Sequence, residues 1–156
     1  MRGAYGRWGT QCWRAAAGLG VLAASACAPG APDLLARGEE VYELHCLGCH
    51  QASGNGVPRM TPPLAGSEWL AGDPDRLVRI VLAGLEGPIE VAGEEYDAVM
   101  GAQAYLSDED VAAVLTYVRH RFAPGEPAIR PDQVAGVRSR LTSQQAASAA
   151  TEEDVP

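Results

Sequence analysis

Apolar positions along this chain fall into groups of different period. The first is an unbroken small and apolar run from Ala15 to Ala26, preceded by Arg2, Arg7 and Arg14. It is too short to span a bilayer and suits the core of an export signal. A second pattern predicts a helix from about Asp33, its N-cap, into Cys46, with Gly38, Tyr42 and Cys46 on one face at helical spacing. Gly54, Gly56, Pro58, Pro62, Pro63 and Gly66 exclude regular structure over 51–66. Asp73-Pro74 then reads as N-cap and first helical residue, and Leu77, Ile80, Val81 and Leu82 follow at helical period until Gly84. Residues 89–96 are turn-rich, with a short extended excursion around Gly93. Ser107 with Asp110 resembles a capping box, and Val111, Val114, Leu115, Val118 and Phe122 form the stripe of a final helix closed by Pro124-Gly125. Residues 33–123 thus predict an all-α domain of three main helices and no sheet.

The flanking segments carry different expectations. Residues 1–26 are read as an export signal, 27–32 as a Pro/Gly tether, 33–123 as the domain and 124–156 as a tail. Ala24-Ser25-Ala26 before Cys27 fits ordinary signal cleavage and also resembles a lipoprotein signal, with Ala24 where a bulkier aliphatic residue is usual. In the second case Cys27 is the mature N-terminus and a lipid anchor; an uncleaved anchor is the third reading. In the tail, Val134, Val137 and Leu141 predict one short amphipathic helix, with disorder after it.

Charge narrows the partners. All 12 basic residues are arginine, against 20 acidic ones. Removing the leader takes three of those arginines, which leaves nine and a net charge of −11. Nucleic acid is excluded as a partner for such a surface. A basic or apolar docking face on another protein suits it better, while solubility alone would also account for the acidity.

The chemistry is concentrated in Cys46-Leu47-Gly48-Cys49-His50. Two cysteines three residues apart share one face of a helical turn, so both thiols can reach the vinyl groups along one porphyrin edge, and the next residue falls under the iron. The spacing C-x-x-C-H therefore predicts covalent haem attachment. A bare C-x-x-C would also serve a dithiol or half a zinc site, but the former wants a βαβ context and the latter a second ligand pair. Neither is visible in the sequence. Only six aromatics follow the leader, namely Tyr42, Trp69, Tyr96, Tyr105, Tyr117 and Phe122. A buried porphyrin would compensate for so modest a core.

The ordered series Cys46–His50, Pro62-Pro63-Leu64, Met100, Leu106-Ser107-Asp108-Glu109-Asp110-Val111 and Leu115-Thr116-Tyr117-Val118-Arg119 resembles a class I cytochrome c over residues 33–123. Gly66-Ser67-Glu68-Trp69, Gly72-Asp73-Pro74 and Gly87-Pro88-Ile89 look like the cytochrome c domains of bacterial periplasmic dehydrogenases. The resemblance implies one covalent haem c with His50 as iron ligand, and a Gly38/Tyr42 face crossing a Val114/Tyr117 face. It also implies that the carbonyl of Pro62 or Pro63 accepts a hydrogen bond from the His50 ring, fixing its tautomer. A propionate hydrogen bond from the Trp69 indole is suggested too, with core packing as the other role. Arg76 and Arg79 would either offset propionate charge or line a solvated helix face.

For the sixth iron position the donors after the leader are His45, Met60, Met100 and His120. His45 adjoins Cys46 and cannot reach across the ring, and His120 sits among charges on the last helix. Met60 follows His50 by ten residues, a short path around a porphyrin. Met100 follows by fifty, in the irregular loop where the resembled family places its ligand, and it is the expected donor. Gly101 stands where proline is common and softens that loop. The expectation is a monohaem electron carrier, exported to the periplasm and tethered through lipidated Cys27 or free. It would pass electrons between a dehydrogenase or reductase and a respiratory partner, with no catalysis of its own. The alternatives are a haem-based sensor or peroxidase-like protein with a labile sixth ligand, and a haem-free dithiol or zinc protein.

Overall fold

Two helices start where their caps predict. Ser107 Oγ accepts the Asp110 N–H at 3.1 Å and opens α4, Asp108–Phe122. Asp73 Oδ1 accepts the Asp75 N–H at 2.9 Å and opens α3, Pro74–Ala83, with proline at its first position. Helix α4 carries Asp108, Glu109 and Asp110 in its first turn and Arg119, His120 and Arg121 in its last, the arrangement its dipole favours.

The computed structural model describes residues 31–152. The export signal, Cys27 and the first four tether residues lie outside the described residues. Helix α1 spans Ala31–His45, so the tether's last two residues are helical and Asp33 lies inside the first turn instead of capping it. A single further turn, α2, covers Leu47–His50.

Helix α4 is the centre of the fold. Val111 through Thr116, Val118 and Arg119 are all buried, so the helix is covered nearly all round, by α1, α3 and a C-terminal helix. The α1 crossing is as close as the resemblance implied. A Cβ on Gly38 would overlap the Ala113 carbonyl oxygen and lie 2.6 Å from Tyr117 Cβ, so only glycine lets the two backbones meet there. Tyr42 packs at a tilt against the Tyr117 and Phe122 rings beside that point, and Arg37 Nε donates to Asp110 at 2.7 Å along the same seam.

Two regions differ from expectation. Residues 89–96 form an antiparallel hairpin of β1, Ile89–Val91, and β2, Glu94–Tyr96, registered Ile89 to Tyr96. Its two turn residues, Ala92 and Gly93, have φ of 53° and 79°, the sign a two-residue hairpin turn requires. The hairpin was read as a single extended excursion because three-residue strands are too short to show alternation. The tail holds a 22-residue helix, α5, Pro131–Glu152, where a short helix and then disorder were expected. Val134 and Val137 are fully buried against the domain and Leu141 partly so. Burial of that face, more than local propensity, stabilises the helix. The connection into α5 is pinned where Thr116 Oγ1 accepts the Ile129 N–H at 3.0 Å and donates back to its carbonyl at 3.3 Å. Arg119, 1% exposed, donates to the Gly72 carbonyl at 2.9 Å and the Pro127 carbonyl at 3.4 Å, joining α4 to both neighbouring loops.

Candidate functional site

Helix α1 ends one residue before Cys46, and the backbone tightens there into one more turn. The N–H groups of His50 and Cys49 donate to the Cys46 carbonyl at 2.9 and 3.2 Å. That turn brings Cys46, Cys49 and His50 to the wall of a single cavity. Cys46 is half-buried and its thiol is pushed up to about 11, first by burial and then by the neighbouring Cys49. Cys49 is exposed at the edge.

The loop after His50 folds back on it. Tyr42 donates its hydroxyl to the Gln51 carbonyl at 2.7 Å, Gly56 N–H donates to the His50 carbonyl at 3.1 Å, and Val57 pairs with Thr61. Pro62 and Pro63 are thereby carried to the cavity wall beside the imidazole. Of the two, Pro62 is the proline whose carbonyl acts on the ring. Burial lowers the His50 pKa and that carbonyl opposes the shift. The contact falls short of full hydrogen-bond geometry, since Nδ1 is buried without a partner that meets it. The carbonyl faces the ring without a fully formed bond.

Met100 reaches the same cavity from a distant part of the chain. Its backbone pairs in both directions with Leu85, at 2.8 and 3.0 Å, just past the end of α3. Gly84 makes this pairing possible. It has φ 80° and ψ −175°, and a Cβ there would lie 2.6 Å from the Met100 carbonyl oxygen. Gln103 N–H then donates to the Val81 carbonyl at 2.8 Å, so the segment runs along α3. Sequence reasoning placed Gly84 as a helix end and found no role for Leu85; nothing local to either marks Met100 as its partner.

Other candidates are sorted by their contacts. Met60 also lines the cavity but is 66% exposed, in the loop that carries Pro62. His120 is exposed. His45 is at the cavity edge, with Nδ1 3.1 Å from the Tyr105 hydroxyl, which in turn donates to Gln103 Oε1. The Trp69 indole N–H donates to the Glu90 carbonyl at 3.0 Å, in the hairpin, and the residue lines the cavity. Arg76 lies over the Trp69 ring at 4.8 Å and donates to its carbonyl at 2.9 Å, which makes it a brace for that wall. Arg79 is exposed, on the solvated face of α3.

Apolar residues such as Leu70, Leu77, Ile80, Val81, Leu115 and Val118 dominate the lining of the cavity, which is open on one side. Its donors are two thiols, the His50 imidazole with an unsatisfied buried Nδ1, and Met100, with exposed His45 and Met60 at the rim. That donor set, in an apolar pocket, suits a covalently held haem. Among the described residues no group of three or more His, Cys, Asp and Glu could hold a metal ion, so a zinc site finds no support.

Comparison with known proteins agrees with this geometry. The cytochrome c family profile matches residues 35–121. Two cytochrome c-552 sequences of Thermus thermophilus are each 46% identical over 87 residues, which is 53% of this chain and 66% and 58% of theirs. This chain therefore matches less than two thirds of either relative's length. The cytochrome c subunit of a quinone-dependent alcohol dehydrogenase from Gluconobacter oxydans is 35% identical over 91 residues, 58% of this chain and 19% of that subunit.

Proposed function

The chain belongs to the cytochrome c family, whose members carry covalent haem c, and on that premise we propose that it is a monohaem electron carrier. Haem c, when bound, supplies a one-electron Fe(III)/Fe(II) couple, and thioether ligation raises its potential. In this reading Cys46 and Cys49 would hold the porphyrin covalently, and His50 and Met100 would supply the donors to its iron. The Pro62 carbonyl orients the His50 ring. Pro63, Trp69 and the α3 and α4 side chains exclude water, so the site reorganises little as charge changes. The observation that carries the proposal is that one apolar cavity gathers His50, Met100 and both cysteines from segments fifty residues apart.

The open side of the cavity is where electrons would enter and leave, during transient docking of a dehydrogenase, oxidase or reductase. Exposed Met60, Val99 and Tyr105 lie in or beside this region. The cytochrome c subunit of an alcohol dehydrogenase among the relatives supports a dehydrogenase as one partner. The chain itself performs no chemistry on a substrate in this reading. The leader 1–26 would export it to the periplasm, where Cys27 would carry lipid, leaving 33–123 as the haem domain.

A haem sensor or peroxidase-like protein is the second reading. It needs a sixth position that opens easily, and exposed Gly101, with open space where a Cβ would stand, is the observation in its favour. The Leu85–Met100 pair opposes it. Absorption spectra of the matured protein and of Met100→Ala separate the two. Narrow ferrous bands and a weak far-red ferric band that disappears in the variant are expected. Absence of the band from the parent, its survival in the variant, or rapid carbon monoxide binding to the ferrous parent at neutral pH would sink the carrier reading.

A further inference from the structure

Met100 is held through both its N–H and its carbonyl by Leu85, and Gln103 N–H by the Val81 carbonyl, but the residues from 101 to 107 belong to no helix or strand. Gly101, Ala102, Ala104 and Tyr105 are all exposed, and Gly101 adds backbone freedom. Such a stretch holds its shape only if other elements bind its polar groups. One side chain does this for two of its carbonyls and ties them to the start of α4. Arg138 donates from Nη1 to the Ala104 carbonyl at 2.8 Å, from Nη2 to the Leu106 carbonyl at 2.7 Å and from Nε to Asp108 Oδ1 at 2.8 Å. The planar guanidinium matches three acceptors spread over five residues, which a lysine could not do. Its own position is set by α5, where Val134 and Val137 are 0% and 1% exposed in the core. Leu106 is buried and lines the cavity, so the carbonyl that Arg138 holds belongs to a residue of the site wall. Between the two held carbonyls, Tyr105 turns the other way and meets His45 at the end of α1.

We propose that Arg138, which lies beyond the stretch matched by the family profile, is a positioning residue for Met100. By fixing residues 104–108 it keeps the preceding loop closed over the cavity and the Met100 thioether in place. The C-terminal helix thereby becomes part of the site. The inference rests on Met100 being the axial donor. Loss of the three bonds raises the share of molecules in which the loop is open; each is charge-assisted, and those to Leu106 and Asp108 are part-buried.

The test uses the matured full chain with Arg138→Met, which keeps the packing of the side-chain stem and removes all five donors. Arg140→Gln is the control, because it breaks an α5 contact to α3 at Asp75, 2.6 Å long, without touching the loop. The far-red ferric band is expected to weaken in Arg138→Met, and carbon monoxide is expected to bind its ferrous form about tenfold faster than the parent. Proteolytic cleavage within 98–106 should rise in step. Arg140→Gln should match the parent in all three. If Arg138→Met keeps the parent's band and binding rate, whatever its Tm, the proposal is overturned; it also falls if Arg140→Gln moves the rate equally. Should Arg138→Met fail to mature, Arg138→Lys is read in the same way, with a smaller increase expected and an unchanged rate overturning the idea. Parent and Met100→Ala, measured alongside, separate the two failures. If those two do not differ, the ligand assignment falls and this inference with it; if they differ and Arg138→Met matches the parent, only this inference falls.

Discussion

The cavity has two walls built in different ways. The wall with His50 is local: Cys46, Cys49 and His50 lie within one helical turn, and the loop that brings Pro62 returns to Gly54 and His50 within sixteen residues. The wall with Met100 is assembled from far apart. Its supports are Leu85 and Val81 of the α3 end, His45 of α1 through Tyr105, and Arg138 of α5. A locally built wall forms as soon as its few residues adopt their backbone angles. A wall assembled at long range depends on several helices docking first and is the one that opens under stress.

The largest test of this contrast separates attachment from ligation. Replacing Cys46 and Cys49 together by alanine is expected to abolish covalent haem, so that denaturing electrophoresis shows no haem on the polypeptide. Met100→Ala should leave attachment intact and change only the spectrum. Retention of haem on the denatured double variant would contradict the local wall as drawn.

A smaller effect comes from Gly84→Ala. The backbone there lies in a region open essentially to glycine alone, and the new methyl would press on the Met100 carbonyl. A loss of about 2 kcal/mol in stability is expected, with a weakened far-red band from the displaced Met100. Denaturant unfolding and the ferric spectrum check both. A stability loss without any spectral change would mean that the Leu85–Met100 pair does not transmit to the thioether.

The smallest expected effect lies on the α1–α4 seam shared by both walls. The Arg37 guanidinium, then the Ser107 hydroxyl side, hold the Asp110 carboxyl below the ordinary carboxylate range against an opposing effect of burial. A carboxyl so lowered contributes stability that is fully present above its unfolded pKa of about 4 and is lost as pH falls through the lowered folded value. Asp110→Asn should therefore lower Tm slightly at neutral pH, and the deficit should shrink on acidification below about pH 4. Arg37 is solvent-exposed, which keeps the effect small. A deficit that grows in acid would show that the seam is held by something other than this pair.

Much of the local wall was legible in the sequence. The C-x-x-C-H spacing, the prolines at 62 and 63, the caps at Asp73 and Ser107 and the glycine at 38 each depend on neighbours within a few residues or on one helical face. Met100 was legible as a residue, through its soft donor and irregular setting, but its supports were not. Trp69 shows the limit: an indole N–H seeks an acceptor, yet whether that is a propionate or the Glu90 carbonyl depends on where a hairpin 21 residues away docks. The length of α5 was hidden because its outer face is composed of Ser, Gln and Ala, which resembles an unstructured tail until Val134 and Val137 find the core.

The sequence by itself therefore determined the helical domain and the turn that sets Cys46, Cys49 and His50 side by side, because spacing along one turn fixes which side chains share a face. Tertiary structure alone decided that Leu85 pairs with Met100, that Glu90 takes the Trp69 N–H, and that Arg138 closes on residues 104–108. Each of those joins groups whose distance is set by the docking of whole helices, and no period in the chain encodes that distance.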